Sequence, residues 1–288
     1  MGISREQALD CFKSDDLIGI GMEADAVRRK LHPEGVVSYG MERVVDCAAR
    51  EQDAIFTEME AAIEMGATSI VLNFGSTAFD TAVAIVAATR LRFPALSLRA
   101  FSASEIEATG AAGAIARLYT AGLDSIGGIH PEVADATWLT AHRAAHQAGM
   151  RTNARIVFGA GETIAERLEQ LDAIRQLQAE TGGFAALAPV SFHAVGGREL
   201  DETTAVEYLK TLAVARIYVD NIENLEADWT TQGLKVLQMG LRFGANDVGA
   251  VQVEQTKGAT EEELRRVIRD AGFRPAQREL GYRAMLVG

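Results

Sequence analysis

The chain has 288 residues, 48% of them apolar, with 28 lysine and arginine residues against 40 aspartate and glutamate residues. The resulting net charge of −12 makes the chain a poor candidate for binding a nucleic-acid backbone, which requires a basic face. No apolar run approaches the roughly 20 residues of a membrane span, and two cysteines, Cys11 and Cys47, are too few for a disulfide framework. These features predict a cytoplasmic protein that binds neither nucleic acid nor a membrane.

Short runs rich in valine and isoleucine alternate with longer helical patterns along the chain, which is typical of strand–helix repeats. A weak strand is expected near residues 222–227. The other predicted strands lie at 35–39, 68–73, 96–101, 123–125, 153–158, 185–191 and 247–253. Eight such repeats favour a (β/α)8 barrel over an open doubly wound sheet. We therefore predict a helical extension at residues 1–34 and a barrel with a C-terminal tail at 35–288.

Two of the intervening segments show helical periodicity most clearly. Residues 52–65 repeat apolar positions every three or four residues, and residues 162–181 do the same over about five turns. The apolar positions are Ile55, Met59, Ala62 and Ile63 in the first segment, and Ile164, Leu168, Leu171, Ile174 and Leu177 in the second. Gly66 and Gly182 follow as stop signals.

The functional groups of such a barrel lie at the carboxyl ends of its strands. Arg99 and Arg155 are expected near the barrel mouth, where they either bind an acidic ligand or form buried ion pairs. His193 and Glu105 are the candidates for acid–base catalysis, although no nucleophile is fixed beside them. The predicted ligand-binding residues are Asn73, Gly75, Arg99, His130, Arg155, Glu162, Asp228 and Glu254.

Several of these candidates have a purely structural alternative. His130 follows a glycine pair that would admit a ligand, but Pro131 also suits the start of a helix. Glu162 lies in a glycine turn that either donates amides to an anion or begins a helix. For Arg99 and Arg155 the available ion-pair partners are Glu105, Glu162 and Glu254.

His142 and His146 have the i, i+4 spacing of helical metal ligands, but the sequence places no third ligand beside them. We therefore predict no metal site.

The chain resembles a known family, mainly in its C-terminal half. The stretch Trp229-Thr-Thr-Gln-Gly-Leu-Lys235 carries the resemblance most specifically, and similar stretches occur at 182–187, 205–221, 241–247 and 271–278. They resemble the radical S-adenosylmethionine enzymes of the futalosine route to menaquinone, with cyclic dehypoxanthine futalosine synthases most similar. The resemblance covers most of residues 17–283 and implies a barrel fold.

The resemblance also implies a Cys-x-x-x-Cys-x-x-Cys loop after the first strand, which holds a [4Fe–4S] cluster together with S-adenosylmethionine. In this chain the residues from Ser38 to Cys47 run directly into a helix, and that loop is absent. The glycine motif after the second strand reads Asn73-Phe74-Gly75 where relatives carry Gln-Gly-Gly, and Arg99 replaces the family's histidine.

These changes predict a member of the family that has lost its radical chemistry. We expect no iron–sulfur cluster, no bound S-adenosylmethionine and no other cofactor. The predicted function is binding or non-radical conversion of a small nucleoside-like or aromatic-acid molecule, of the lyase or cyclase type if the chain is an enzyme. The alternative is a non-catalytic pseudoenzyme, and two assemblies stay open, a homodimer and a complex with an intact family member.

Overall fold

The protein is described by a computed structural model that covers residues 2–110, 113–192, 203–253, 258–282 and 285–287. Its strands are β1 (Val36–Asp46), β2 (Ser69–Asn73), β3 (Ser97–Ala100), β4 (Ser125–Ile126), β5 (Thr152–Phe158), β6 (Phe184–Ser191), β7 (Asn224–Leu225), β8 (Asp247–Gln252), β9 (Arg274–Arg278) and β10 (Met285–Val287). The first eight fall at or beside the predicted positions.

Helices follow the strands and cover the outside of the sheet. They are α3 (Gln52–Glu64), α4 (Phe79–Arg92), α5 (Ala103–Ala108), α6 (Ala114–Ala121), α7 (Ala136–Gln147), α8 (Ile164–Thr181), α9 (Ala205–Tyr218), α10 (Gly233–Gly240) and α11 (Glu261–Asp270). Ahead of the sheet, α1 (Arg5–Lys13) and α2 (Leu17–Leu31) pack against α8 and α9. No helix among the described residues has the length and apolar character that a membrane crossing requires.

The strands form the predicted (β/α)8 barrel. Parallel pairs join β1 to β4 in chain order, β5 to β7 in chain order, and β8 to β1. Two parallel bridges connect these groups, one between Glu132 and Ile156 and one between Glu226 and Asp247. The segment after β4 therefore continues the sheet to β5, and the residue after β7 continues it to β8.

The helical periodicity predicts α3 and α8 with one error in each, because Ile164, the first position of the predicted α8 stripe, is 37% exposed. In α8 the predicted stripe is buried from Leu168 to Leu177, a capping box of Thr163 and Glu166 starts the helix, and Gly182 ends it with a φ of +64°. In α3 the stripe buries Ile55, Met59 and Ala62 as predicted, but Ile63 is 38% exposed. Ile63 lies at the edge of the buried face, so its side chain faces solvent instead of the sheet.

Strand β1 is longer than predicted, because it continues past Tyr39 to Asp46. The extra residues have neighbours on both edges, β8 at 40–42 and β2 at 42–46. The stretch is polar and was not predicted as a strand, and it adopts the strand conformation because its backbone pairs with both neighbours.

The tail adds two strands that the sequence did not predict. Strand β9 runs parallel to residues 36–39 of β1, on the same edge as β2 but nearer the amino end of β1, and β10 pairs antiparallel with β9. Through β9 the tail brings Arg278 into the barrel interior, where its guanidinium contacts Asp247.

Candidate functional site

A cavity of about 760 Å³ opens at the carboxyl ends of the strands. The segments after β4, β6 and β7 form its rim, and inward-facing residues of β1, β3, β5 and β8 form its wall. Its volume is in the usual range for a small-molecule site. The charged or titratable residues that line it are Glu42, Arg99, His130, Glu132, His142, Arg155, Glu226, Asp228 and Arg278. Of the predicted site residues, the cavity brings together Arg99, His130, Arg155 and Asp228.

Arg99 reaches the cavity wall but its hydrogen-bonding capacity is used within the protein. Its guanidinium lies 3.2 Å from Glu42 and donates to the carbonyl oxygen of Gly128 at 2.9 Å. The amide of Gln252 donates to the other oxygen of Glu42 at 2.7 Å. The side chains of Arg99 and Glu42 are 9% and 12% exposed. The expected partners Glu105 and Glu162 were wrong, because β1 supplies the carboxylate instead.

Arg155 lies across the cavity on β5 and is much less engaged. Its single hydrogen bond in the described structure runs from Nη1 to the carbonyl oxygen of Ile129 at 3.3 Å, and no described carboxylate forms an ion pair with it. The side chain is half-buried. A guanidinium offers five N–H donors, so most of the donors of Arg155 have no acceptor among the described residues, and the residue lines the cavity.

Glu226 was missed by the sequence predictions, and among the described residues its carboxylate accepts no hydrogen bond. Its side chain is 12% exposed, and one oxygen lies 3.8 Å from Nη2 of Arg278. Burial and the neighbouring charge of Asp247 raise the pKa of Glu226 to about 7, against the opposing effects of Arg155 and Arg278.

A fully satisfied ion pair lies beside Glu226, toward the amino end of β8. Arg278 binds Asp247 through two parallel hydrogen bonds of 2.6 and 2.8 Å, and Asp247 also accepts from the amide of Gly249 at 2.8 Å and from the hydroxyl of Ser38. Bidentate geometry of this kind makes the pair strong. The attraction of Arg278 is therefore directed mainly at Asp247 and less at Glu226.

Asp228 and His130 occupy the rim. The carboxylate of Asp228 accepts from the amides of Thr230 and Thr231 at 3.1 and 3.2 Å and from both hydroxyls, so it fixes the loop after β7. His130 is exposed at the cavity mouth, where its ring is available to a ligand. Trp229 adds an aromatic wall that is 9% exposed.

Four predicted site residues lie away from the cavity lining. Glu105 is exposed and caps α5 by accepting from the amide of Ser102 at 2.7 Å. Glu162 accepts from the amides of Gly159 and Ala160 and from Arg167. Although burial raises the pKa of Glu162, these hydrogen bonds and the charge of Arg167 bring it below its ordinary value. Both carboxylates therefore act in local structure.

The other two are Asn73 and Gly75 in the turn after β2. That turn is filled by the buried ring of Phe74, which stacks on Phe101 with ring centroids 5.1 Å apart. The turn therefore faces apolar packing instead of the cavity. The remaining predicted residues, His193 and Glu254, lie outside the described residues.

His142 and His146 form a buried cluster with Thr152. Nδ1 of His142 and Nε2 of His146 lie 2.7 and 2.9 Å from the Thr152 hydroxyl. Burial lowers the pKa of His142 to about 3 and that of His146 to about 4, so both rings are neutral at pH 7. Trp138 packs on His142 with ring centroids 3.9 Å apart. In the described ranges no three His, Cys, Asp or Glu side chains are grouped as metal ligands.

The cysteines do not fit an iron–sulfur cluster, which takes its ligands from several cysteine thiolates. Cys47 directly follows β1 and is 1% exposed, and burial raises the pKa of its thiol to about 12. The thiol is therefore protonated at neutral pH. Cys11 lies in the outer helix α1. With two cysteines in the whole sequence, on separate elements, the chain cannot supply the usual ligand set.

Comparison with known proteins gives consistent matches. The sequence profile of the CofH/MqnC C-terminal region matches residues 181–287. Cyclic dehypoxanthine futalosine synthase of Streptomyces coelicolor is 30% identical over 344 residues, which cover 99% of this chain and 86% of that protein. Aminodeoxyfutalosine synthase of Thermus thermophilus is 31% identical over 310 residues, which cover 93% of this chain and 80% of that protein.

Both alignments are longer than the 288 residues of this chain, so each relative carries residues that have no counterpart here. Among solved structures, that of methylornithine synthase matches with a TM-score of 0.70 at 13% identity, over 96% of this chain and 95% of that one. At this identity the match supports the barrel fold alone.

Proposed function

The chain belongs to the radical S-adenosylmethionine family of the futalosine pathway, and we propose that it is a member that works without an iron–sulfur cluster. In this proposal the barrel cavity binds a small nucleoside-like or aromatic-acid molecule, and any conversion there uses polar chemistry. The observation that carries the proposal is the combination of a large cavity bearing free polar groups with a cysteine pair that cannot ligate a cluster.

The residues at the positions where the resemblance implies contacts with S-adenosylmethionine are also unsuited to binding it. Phe74 fills the turn after β2 where the resemblance implies a glycine, and Arg99, where the resemblance implies a histidine, is paired with Glu42. We therefore expect neither cofactor to bind. Catalysis, if present, depends on groups that line the cavity, and Arg155 and Glu226 are the ones with free capacity.

The first test is iron and sulfide analysis of protein purified without oxygen and then incubated with iron and sulfide. We expect no stoichiometric iron in the wild-type chain or in Cys47→Ser, because neither has a cluster ligand set. About four iron atoms per chain, lost in Cys47→Ser, would contradict the proposal.

The second test is calorimetric titration with cyclic dehypoxanthine futalosine and aminodeoxyfutalosine, the compounds that the relatives' names identify. Saturable binding by the cluster-free protein supports the proposal, and Arg155→Ala should weaken it. Failure of both compounds to bind would remove the futalosine-type ligand from the proposal.

A second candidate function is that of a partner subunit without turnover. Ile18 and Met22 are 65% and 67% exposed and lie one turn apart on α2, a surface that favours contact with another chain. Sedimentation of the wild type and of an Ile18→Ser, Met22→Ser variant tests this candidate. An unchanged monomeric mass in both, alone and with an intact relative, would contradict it.

A further inference from the structure

Arg155 and Glu226 share one property that separates them from the other charged residues of the cavity. Within the described structure, Arg99 pairs with Glu42, Arg278 pairs with Asp247, and Asp228 accepts from its own loop. Arg155 has one long hydrogen bond, and Glu226 has no hydrogen bond and only a 3.8 Å ion pair with Arg278. Arg155 and Glu226 do not form an ion pair with each other among the described residues. Polar groups in a buried site normally have partners, so an incomplete set indicates that a ligand supplies the missing ones.

Gly249 shows that the position of Glu226 is built into the barrel. A β-carbon at Gly249 would lie 2.8 Å from Oε1 of Glu226, and the residue has a φ of +74°. A glycine in β8 therefore leaves room for the carboxyl group in a backbone conformation that other residues rarely adopt. The carboxyl group is packed against β8 while its oxygens stay free of hydrogen bonds.

We propose that the cavity binds an organic carboxylate on Arg155 and that Glu226 takes up a proton as this carboxylate binds. The proposal rests on the proposed function only in taking the cavity as the ligand site. A guanidinium with free donors is the group best suited to a planar carboxylate, which it can bind through two parallel hydrogen bonds. The cavity wall adds Trp229 and Phe192, which suit an aromatic ring beside that carboxylate.

The proton uptake follows from the charges that face Glu226. Asp247 on β8 and Asp228 after β7 favour the protonated acid, whereas Arg155 on β5 and Arg278 on β9 favour the carboxylate. The phenols of Tyr282 and Tyr208 also face this group, and burial keeps both neutral by raising their pKa.

A bound carboxylate neutralises Arg155, which is one of the two positive charges acting on Glu226. The pKa of Glu226, already about 7, therefore rises further on binding.

The sign of the pH dependence is then fixed. Near pH 5 the carboxyl group of Glu226 is protonated with or without ligand, so binding takes up no proton. Between pH 7 and 8 the free protein is partly ionised and the complex is protonated, so binding takes up a fraction of a proton. Affinity should fall about three- to tenfold as the pH rises from 6 to 8, because one pKa unit corresponds to a factor of ten.

The experiment uses 4-hydroxybenzoate as the probe and the neutral 4-hydroxybenzamide as its matched control. Calorimetry of the full chain in two buffers of different ionisation enthalpy measures the protons taken up per bound ligand. We expect uptake with the acid but not with the amide. Arg155→Ala should weaken binding of the acid about ten- to a hundredfold, the usual effect of a charge-assisted contact.

Glu226→Gln should bind the acid without proton uptake. Glu42→Gln is the matched variant, because Glu42 lines the same cavity but is already paired with Arg99. It should keep the uptake of the wild type. Uptake that persists in Glu226→Gln, or that is lost in Glu42→Gln, would overturn the assignment of the proton to Glu226. Absence of binding by the acid, or equal binding in Arg155→Ala, would overturn the carboxylate site.

An infrared titration of the ligand-free protein separates this proposal from the proposed function. A protonated buried carboxyl group gives a carbonyl band, which should disappear as the pH rises through about 7 and should be missing from Glu226→Gln. The same band in Glu226→Gln would reject the role of Glu226 even if a futalosine-type compound binds. A band that is present in the wild type and missing from Glu226→Gln supports that role even if such compounds do not bind.

Discussion

The two halves of the barrel treat an inward-facing arginine in opposite ways. In the first half, Arg99 on β3 is clamped by Glu42 of β1 and by the backbone after β4. In the second half, Arg155 on β5 has a comparable position at the cavity wall but no carboxylate partner among the described residues. The difference shows that the partner, and not the residue type, decides whether such an arginine stabilises the barrel or remains available to a ligand.

The segments that follow the strands also differ, because one is closed by its own side chains and others border the cavity. After β2, Phe74 and Phe101 stack with 3% and 8% exposure and close the turn. After β4 and β7, the backbone leaves a cavity bordered by His130 and Trp229. The turn after β2 is thus filled by the protein itself, whereas the segments after β4 and β7 border the open cavity.

The largest expected effect comes from breaking the pair in the first half. Arg99→Ala leaves Glu42 buried with Gln252 as its one remaining side-chain partner among the described residues, so we expect a loss of about 3–5 kcal/mol in the free energy of unfolding. Urea denaturation monitored by circular dichroism measures this loss. The same substitution at Arg155 removes one long hydrogen bond and should change stability by less than about 1 kcal/mol.

A double variant provides the control for Arg99. Arg99→Met with Glu42→Met removes both charges, and replacing a buried ion pair by apolar side chains is often close to neutral. The double variant should therefore recover most of the stability lost in Arg99→Ala. If Arg155→Ala proves as destabilising as Arg99→Ala, the contrast between the two halves is wrong.

The second effect concerns Glu226 and depends on pH. In the unfolded chain its carboxyl group ionises above pH 4.5, whereas in the folded chain it remains protonated to about pH 7. The folded state binds more protons in this window, so stability falls as the pH rises through it. Glu226→Gln should therefore be more stable than the wild type at pH 8, by up to about 3 kcal/mol.

The two proteins should differ least near pH 4, where the wild-type side chain is mostly protonated in both the folded and the unfolded chain. Thermal denaturation of both at the two pH values tests this expectation. A Glu226→Gln variant that is less stable than the wild type at pH 8 would mean that the 3.8 Å ion pair with Arg278 stabilises the carboxylate more than burial and Asp247 destabilise it.

The third effect is on binding. Arg155→Ala should weaken binding of 4-hydroxybenzoate about ten- to a hundredfold, with the fold unchanged. Arg155→Lys is the informative companion, because it keeps the charge but cannot bind a carboxylate through two parallel hydrogen bonds. We expect it to recover only part of the affinity. Full recovery would show that charge alone attracts the ligand.

The barrel could be predicted from the sequence because each of its first eight strands is marked by a local pattern. Strands such as β2 and β5 contain valine and isoleucine runs, and helices such as α8 end at a glycine with positive φ. Strands β9 and β10 could not be found in this way. Arg274–Arg278 contains Pro275 and two arginines, so its strand conformation depends on pairing with β1, more than 230 residues earlier in the chain.

The site was less predictable because ion-pair partners are set by tertiary structure. Arg99 and Arg155 were placed by the two-residue period of their strands, but Glu42 lies 57 positions from Arg99, in a polar stretch that did not resemble a strand. Glu226 carried one usable signal. It precedes Asp228 by two residues, so both side chains face the same side of the extended segment. Because the pattern of β7 is weak, the sequence did not show that this segment is extended.

The smallest effect tests the catalytic role that the sequence predicted for Glu105. The structure places this exposed carboxylate in a capping box, where it accepts from the amide and the hydroxyl of Ser102 at 2.7 and 2.9 Å. Glutamine serves in the same motif, so Glu105→Gln should be nearly neutral, and Glu105→Ala should lose about 0.5–1 kcal/mol. Glu166 has the equivalent position in α8, and Glu166→Gln is the matched control. Because neither carboxylate lines the cavity, both variants should bind 4-hydroxybenzoate like the wild type. Weaker binding in Glu105→Gln alone would return Glu105 to the site and extend the functional surface to the start of α5.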